Sequence, residues 1–477
     1  MTAARVFVLS LAIATLGGPI LVLTLSRSHV AVAGMNQPGD EVRVPVIVEL
    51  NMAAISGDWP AVAAGAAPFR PSSLIPRLQD ALPSLLSFRK IGRALPLLRV
   101  GILGVRRQVT ANTFFACGTA LRTDIPAIQA LTRHSVYQNP PTSVSQPATV
   151  TGVSRSVNDV ATAIDTSKLP SRGEGVLAAI VGGGFNRAFA TRASASKCGT
   201  KGWWPCFDAK FSHSVIPTVG GGTVGSGNTH STMVAYDVTI AAPDVTWADE
   251  VTAQNVCDAA EIYTDLAIDI IENGLFGGGG ASRSAYRGLL VINSWAVPDP
   301  SVDPNAAAYV DDPNHPTSVM VGTLADLGAD IVFAAGNCGP NPKPGCAPNT
   351  QRTIYGANSH PKVLTVGAVG LDQLPADYSS RGTGHLTPQK PDIGAYADFV
   401  GSNRFGSTDS GTSAAAPVAA GVLATLRSAL PFDPANASTF PAVIRDRLVK
   451  KSEPCGAIRP GYPNYDVGWG IVSARCF

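Results

Sequence analysis

The chain has 477 residues, enough for two or three domains, and its formal net charge is +2 with only 15% charged residues. This balance offers no surface that could follow a phosphate backbone, so we predict no nucleic-acid partner. An apolar fraction of 45%, with 48 glycines and 37 prolines, indicates a well-packed, loop-rich α/β protein rather than a disordered chain.

The N-terminus has the pattern of a targeting signal. A short basic segment, Met1–Arg5, precedes 20 apolar residues, and small residues at 31–33 offer a cleavage point before Gly34. We therefore predict a signal peptide over 1–33 and a secreted, extracellular protein. The alternative is an uncleaved signal anchor on the outer face of the membrane, because 20 apolar residues can span a bilayer. Only in that case do we expect a membrane partner.

Export favours disulfide bonds among the eight cysteines. Three pairs are close in sequence, namely Cys198 with Cys206, Cys338 with Cys346, and Cys455 with Cys476. Cys117 and Cys257 are left over. A zinc site is disfavoured because the chain has no Cys-x2-Cys pair. The connectivity stays open on sequence grounds.

A small α+β unit is predicted over 34–140. Its predicted elements are a strand over 41–51, a helix over 71–86, a strand over 95–107 and, within 124–140, a helix followed by a short strand. The stretch 141–154 is rich in proline, serine and threonine, which predicts a linker.

From residue 155 onward, apolar strands alternate with helices. Strands are predicted at 175–182, 242–251, 288–296, 330–337 and 362–370. Helices are predicted at 230–242, 257–274, 315–329 and 411–430. Strands that are apolar on both faces and alternate with helices are typical of an α/β fold, a parallel β-sheet with helices on both faces.

Gly-Thr-Ser at 411–413 begins a helix whose following residues are almost all small. A serine in this place is ordinarily a helix cap. Small neighbours, however, let a backbone approach a ligand, and a helix N-terminus favours a developing negative charge. The run Gly-Thr-Ser-x-Ala-Ala-Pro resembles the nucleophile motif of the subtilisin-like (S8) serine proteases. The resemblance implies that Ser413 is the nucleophile and that its backbone N–H is one oxyanion donor.

Two further motifs resemble those of the same family. His230 begins a helix that ends in Ala-Pro, and with Thr232 and Val234 it is similar to the motif of the catalytic base, although Ser231 replaces a glycine. Asn337 ends the run Ala-Ala-Gly-Asn after an apolar strand. The resemblance implies that His230 is the base and that the side chain of Asn337 donates to the oxyanion.

The rest of the chain adds weaker matches. Ser294, Trp295 and Ala296 stand for the family's Ser-Leu-Gly, which implies that they bind the backbone of a polypeptide substrate. By pattern and position, the 34–140 unit resembles the family's propeptide, which implies an intramolecular inhibitor and a zymogen, with a peptidase domain over 155–477. No cofactor is predicted. Calcium is common in the family, but the sequence shows no ligand cluster with usable spacing, so no metal site is assigned.

One expected residue is missing. The family's first core strand ends in an aspartate, and Gly182 stands at that position. The aspartate orients the imidazole and stabilises its charged form, and losing it costs on the order of 10⁴ in turnover in triad proteases. Asp208, the only acidic residue between Gly182 and His230, is the best of the weak substitutes. Asp165 belongs to the preceding helix, and Asp237 lies about 10 Å from His230 along one helix.

The sequence therefore supports two functions. The first is a secreted serine endopeptidase that hydrolyses peptide bonds with a serine nucleophile and a histidine base, its activity set by whatever replaces the aspartate. The second is a catalytically impaired pseudoprotease that binds peptides outside the cell. A generic α/β hydrolase is disfavoured because the chain has no Gly-x-Ser-x-Gly elbow.

Overall fold

A computed structural model describes most of the second half of the chain and shorter parts of the first half. The described residues are 6–7, 12–13, 21–22, 27–28, 43–51, 86–93, 113–132, 136–142, 155–186, 207–213, 230–251, 255–271, 273–276, 286–347, 351–432, 441–452, 461, 463–475 and 477. The chain divides into two compact units. The first is Met1–Pro96 with Gln108–Val136, and the second is Leu97–Arg107 with Tyr137–Phe477.

The first unit contains a small antiparallel sheet in which β3 lies between β2 and β1. β-branched residues of β1, including Val46 and Val48, are fully buried together with Phe115 of β3, as expected for strands that cover a core. The elements are β1 (Arg43–Asn51), β2 (Leu86–Arg93), β3 (Thr113–Leu121) and α1 (Ile125–Thr132). Strand β4 (Val136–Gln138) follows at the boundary between the units.

The predictions for this unit are partly confirmed. The strand predicted over 41–51 and the helix and short strand predicted within 124–140 are present. Strands β2 and β3 were not predicted, because the glycine and the charged residues of β2 obscure its alternation. The predicted helix over 71–86 lies outside the described residues, except that Leu86 begins β2 instead of ending a helix. The predicted strand over 95–107 also lies outside them.

The second unit is built on a six-stranded parallel sheet of order β6-β5-β7-β8-β9-β10. Its strands are β5 (Val176–Gly182), β6 (Thr246–Val251), β7 (Gly288–Asn293), β8 (Asp330–Ala334), β9 (Leu364–Val369) and β10 (Ile393–Tyr396). Its α-helices are α2 (Val157–Ile164), α3 (His230–Val238), α4 (Val256–Ile271), α5 (Ala307–Val310), α6 (Pro316–Asp326), α7 (Thr412–Ala429) and α8 (Pro441–Lys450). The predicted α/β fold with a parallel sheet is confirmed.

Helix α7 passes through the core of this unit. Every residue from Thr412 to Ser428 is buried, and the helix packs against α3 and against strands of the sheet. Small residues make this burial possible. A Cβ atom at Gly421 would lie 2.5 Å from the carbonyl oxygen of Val238 in α3, so only glycine allows the two helices to approach this closely.

The strands and helices predicted beyond residue 155 are all present, with ends that differ by a few residues. Three elements were not predicted. Strand β10 and helix α5 have only four residues each, and α8 has charged residues on much of its surface. Among the described residues, no helix combines the length and the apolar character that crossing a bilayer requires. Within the predicted signal peptide, residues 6–7 pair with 27–28 and residues 12–13 with 21–22, both antiparallel.

A buried ion pair links the end of α7 to the sheet. The guanidinium of Arg427 donates from Nε to Asp330 Oδ2 at 2.6 Å and from Nη2 to Asp330 Oδ1 at 3.0 Å, and both side chains are at most 2% exposed. We predict that Arg427→Leu lowers the free energy of unfolding by about 3–5 kcal/mol, because it leaves a buried carboxylate unpaired. Denaturant unfolding measures the change.

The control for this prediction is Arg172→Leu. Arg172 pairs with Asp244 on the surface, where the arginine side chain is 54% exposed. Loss of such a pair costs at most about 1 kcal/mol. Equal losses for the two variants would contradict the prediction.

Candidate active site

Ser413 lies in the first turn of α7, where backbone N–H groups have no acceptor within the helix. The turn before it requires glycine, because Gly411 has a φ of +86°. The side chain of Ser413 is 5% exposed, and its hydroxyl donates to the backbone carbonyl of Ser294 at 3.1 Å. The predicted nucleophile therefore sits at a helix N-terminus that favours negative charge.

Asn337 follows β8 and is held against the start of α7. Its Oδ1 atom accepts hydrogen bonds from the backbone N–H of Thr412 at 2.9 Å and from the Thr412 hydroxyl at 3.1 Å. The Thr412 hydroxyl in turn accepts from the N–H of Gly336 at 3.1 Å. Because Oδ1 is occupied on the α7 side, the amide nitrogen is the end of the side chain that can serve the site as a donor.

The three residues predicted to bind substrate lie in the same pocket as Ser413 and Asn337. The pocket has a volume of about 20 Å³. It is lined by Ser294, Trp295, Ala296, Val297, Pro298, Ala334, Gly336, Asn337, Cys338, Pro344, Gly345, Cys346, Thr412 and Ser413. None of these side chains carries a charge, so the pocket suits a small, uncharged group.

A disulfide forms one wall of this pocket. Cys338 is bonded to Cys346, as predicted from their spacing. Cys117 and Cys257, to which the sequence spacing assigned no partner, each take part in a disulfide bond. The predicted pairs Cys198–Cys206 and Cys455–Cys476 involve residues outside the described ranges.

His230 is the first residue of α3, and its ring meets the ring of Phe405 edge-on, with centroids 4.9 Å apart. Burial, followed by the positive charge of Lys343, lowers the pKa of His230 to about 4. The imidazole is therefore neutral at neutral pH, which is the form that a general base needs. The base and the nucleophile are not joined in this structure, because Nε2 of His230 has no hydrogen-bond partner among the described residues.

Ser231 fills the space beside Gly182, the residue that the resemblance aligns with the family's aspartate. A Cβ atom on Gly182 would lie 2.6 Å from the hydroxyl oxygen of Ser231. That hydroxyl accepts a hydrogen bond from the N–H of Gly183 at 3.1 Å. The two departures from the family pattern, glycine for aspartate and serine for glycine, are thus in direct contact.

Asp208 does not stand in for the missing acid. Its Oδ2 atom accepts from the Tyr286 hydroxyl at 2.7 Å, and its N–H donates to the carbonyl of Trp247 at 2.8 Å. Trp247 is in register with Ala178, four residues before Gly182 on β5. At about 3.3 Å per residue this is some 13 Å from the site end of the strand. This weak candidate was wrong because its loop lies along the other end of the sheet.

The other two acidic residues are also engaged elsewhere. Asp165 ends α2 and contacts Ser167 and Lys168 on the surface, as the sequence predicted. Asp237 is fully buried on α3, near the carboxyl group of Asp409. Asp409 accepts from the hydroxyl of Ser402 at 2.7 Å. The Asp237–Asp409 pair thus brings two carboxyl groups together between α3, which begins with His230, and the segment that leads into Ser413.

Four residues at the site were not identified from the sequence as functional: Thr412, Lys343, Phe405 and Ser231. Thr412 and Ser231 are inside the recognised motifs, so adjacency was the available signal. Lys343 lies between Cys338 and Cys346, and its closeness to the site follows only from the disulfide-closed loop. Phe405 is on a loop with no motif. In the described part of the chain, His, Cys, Asp and Glu form no cluster of three suited to a metal ion.

A family model described as the subtilase family of peptidases matches residues 218–470. The matched range is more than half of the chain, and it includes His230, Asn337 and Ser413. Together with the parallel sheet, this defines a serine protease of the subtilisin-like class. The chain belongs to the subtilase family.

Similar solved structures include the epidermin leader peptide processing serine protease of Staphylococcus aureus. It aligns with a TM-score of 0.53 and 13% identity, over 91% of this chain and 97% of that chain. A serine-to-alanine mutant of that protease gives 0.53 and 12%, over 91% and 98%. A psychrophilic protease gives 0.45 and 19%, over 68% and 99%. The first two likenesses show the fold.

The Asp237–Asp409 pair predicts a pH dependence of stability. Burial, followed by the neighbouring carboxyl group of Asp409, raises the pKa of Asp237 well above its usual range. The folded chain then keeps a proton that the unfolded chain loses once the pH passes about 4, so stability falls as the pH rises above that value. We predict that Asp237→Asn, measured by denaturant unfolding at pH 5 and pH 8, loses less stability between them than the wild type.

The control for this pH dependence is Asp159, a carboxyl group whose pKa is shifted in the opposite direction. Hydrogen bonds from the backbone and hydroxyl of Ser156 lower the pKa of Asp159. Its stabilising contribution is present above its unfolded pKa and disappears as the pH falls. Both pH 5 and pH 8 lie above the usual pKa of an aspartate, so Asp159→Asn is expected to destabilise the chain equally at the two pH values. A pH-independent effect of Asp237→Asn would contradict the prediction.

The contact between Gly182 and Ser231 predicts how the missing acid can be restored. Gly182→Asp alone forces its Cβ against the Ser231 hydroxyl. We predict that Gly182→Asp combined with Ser231→Gly increases the rate at which a serine-directed phosphonate labels Ser413 by more than tenfold over Gly182→Asp alone, toward the 10⁴ that the acid contributes in triad proteases. Ser231→Gly alone is the control. A double variant no faster than Gly182→Asp would refute this account of the site.

Proposed function

We propose that this protein is a secreted serine endopeptidase that uses Ser413 as nucleophile, His230 as base, and Asn337 with the Ser413 N–H as oxyanion donors. The observation that carries the proposal is the pair of hydrogen bonds from Thr412 to Asn337. They fix the amide of Asn337 next to Ser413 in a pocket that also contains the backbone of Ser294–Ala296. A decayed site would have no need to keep this arrangement.

The proposed reaction proceeds in two steps. Ser413 Oγ attacks the peptide carbonyl while its proton passes to Nε2 of His230, and the oxyanion accepts hydrogen bonds from Asn337 and from the Ser413 N–H. The C–N bond then breaks as His230 returns the proton to the leaving amine. Water, activated by His230, hydrolyses the acyl-enzyme and regenerates Ser413.

Turnover is expected to be slow. With Gly182 in place of the aspartate, no described carboxylate favours the imidazolium form of His230, and Lys343 opposes it. The ring of Phe405 restricts the imidazole by contact alone. The small, uncharged lining of the pocket favours a small neutral residue before the scissile bond.

The alternative function is a pseudoprotease that binds peptides without cleaving them. One observation favours it: the Ser413 hydroxyl donates to the Ser294 carbonyl, while Nε2 of His230 has no partner among the described residues. If the N–H of a bound peptide donated to the Ser294 carbonyl, that carbonyl would no longer accept from the Ser413 hydroxyl, which would then be free to react. The endopeptidase proposal therefore requires substrate binding to complete the site.

Export and self-inhibition are further parts of the proposal. We propose that 1–33 is a signal peptide and that 34–140 is a propeptide that blocks the cleft. The residues from Tyr137 onward belong to the second compact unit. Within it, the carbonyl of Gln138 contacts Nε2 of His315 at 2.7 Å, and the carbonyl of Pro140 accepts from the N–H of Val256 at 3.1 Å.

Labelling with a serine-directed phosphonate separates the two functions. An endopeptidase is expected to be labelled, with labelling abolished in Ser413→Ala, and its purified chain is expected to start between about residues 140 and 155 only when Ser413 is present. Ser428→Ala is the control, since this serine lies at the far end of α7 and contacts the Glu174 carbonyl. A wild-type chain that is intact at its N-terminal unit and resists labelling would overturn the proposal in favour of the pseudoprotease.

A further inference from the structure

Lys343 places a positive charge beside the nucleophile segment. Its ammonium donates to the hydroxyl of Ser410 at 3.0 Å, and a Cβ atom on Gly411 would lie 3.4 Å from Nζ. Its backbone N–H donates to the carbonyl of Asn337 at 3.0 Å. Lys343 is thus held through its side chain to Ser410 and through its backbone to Asn337.

No carboxylate neutralises this charge within the described part of the chain. The ammonium lies 4.4 Å from the ring centroid of Tyr378, and the Tyr378 hydroxyl contacts Asp398 Oδ2 at 2.8 Å. Asp398 acts on Lys343 only through its field, and burial lowers the pKa of the lysine. A half-buried cation without an ion pair is costly. An anion that arrives with a ligand would offset that cost.

Two observations place the ammonium of Lys343 outside the pocket that would hold the residue before the scissile bond. Lys343 does not line the pocket that contains Ser294, although the next residue, Pro344, does. Its ammonium contacts Ser410 instead, three residues before Ser413. The leaving-group half of a bound peptide is the part that remains for this charge, and the effect of Lys343 on the pKa of His230, the proposed proton donor to the leaving amine, agrees with this.

We infer that Lys343 binds a carboxylate on the leaving-group side of the substrate, which supplies the negative charge that Gly182 removed from the site. The carboxylate is either an acidic side chain just after the scissile bond or the free C-terminus of a short leaving group. It pairs with the ammonium and cancels the repulsion between Lys343 and the imidazolium of His230. The inference rests on the proposed serine peptidase function and specifies its substrate class.

Binding tests the inference without requiring turnover. The probes are three dye-labelled peptides that share Ala-Ala-Ala and continue with Asp-amide, with Asn-amide, or with Asn bearing a free C-terminus. In the Ser413→Ala protein as purified, at least one carboxylate peptide is expected to bind about 10-fold more tightly than the Asn-amide peptide, the gain from a hydrogen bond to a charged group. The carboxylate peptide that binds more tightly shows whether the carboxylate is an acidic side chain or a free C-terminus.

Matched variants assign the gain to Lys343. In the Ser413→Ala background, Lys343→Met is expected to abolish the difference between the peptides, and Lys343→Arg to retain it. Lys168→Met is the control for net charge, because Lys168 is exposed and pairs with Asp165. Three peptides of equal affinity, or a difference that survives Lys343→Met, would overturn the inference.

Hydrolysis by the Ser413 form provides the second readout. For the carboxylate peptide, the acidic limb of kcat is expected at higher pH than for the Asn-amide peptide, because pairing of Lys343 in the enzyme–substrate complex raises the pKa of His230. Lys343→Met is expected to raise the limb for both. A carboxylate preference in binding without hydrolysis of any peptide would refute the peptidase function and leave the binding inference standing. Hydrolysis without any preference would refute the inference alone.

Discussion

Burial of the nucleophile helix along almost its whole length is the constraint on which the rest of the site depends. Helix α7 lies between α3 and the sheet, so its residues are mostly small and none of its faces is open to solvent. Small residues at its start bring Thr412 within reach of Asn337 and bring Ser413 against Ser294. The buried pair of Arg427 with Asp330 fixes the other end of the helix to the start of β8. The site is therefore as rigid as the core that surrounds it.

The charges at the site are the reverse of those in a triad. A triad places a carboxylate next to the imidazole and so favours the imidazolium. Among the described residues, the charge that acts on His230 is the ammonium of Lys343, and the hydroxyl of Ser231 occupies the space beside Gly182, where the resemblance leads one to expect the carboxylate. No described carboxylate supports the predicted base.

The sequence predicted the parallel sheet and the positions of His230, Asn337 and Ser413, because apolar strands and short contiguous motifs are local signals. It did not predict β2, whose glycine and charged residues weaken the alternation, or β10, which has only four residues. It also did not identify Lys343 as a residue near the site, and it named Asp208 as a substitute for the aspartate although Asp208 lies elsewhere. The contacts of both residues are decided by where a loop lies on the sheet, which no local pattern contains. Motifs located the reacting groups, and only the fold located the charges around them.

The disulfide between Cys338 and Cys346 has a consequence for where the site can exist. It closes the loop that carries Lys343 and forms a wall of the substrate pocket. In a reducing compartment both thiols would be free, and neither the wall nor the position of the ammonium would be held. The redox state of the surroundings thus acts on substrate recognition, while Ser413 and Asn337, held by hydrogen bonds to the core, need no such closure. Loss of this disulfide would therefore leave Ser413 and Asn337 in place beside an incomplete pocket.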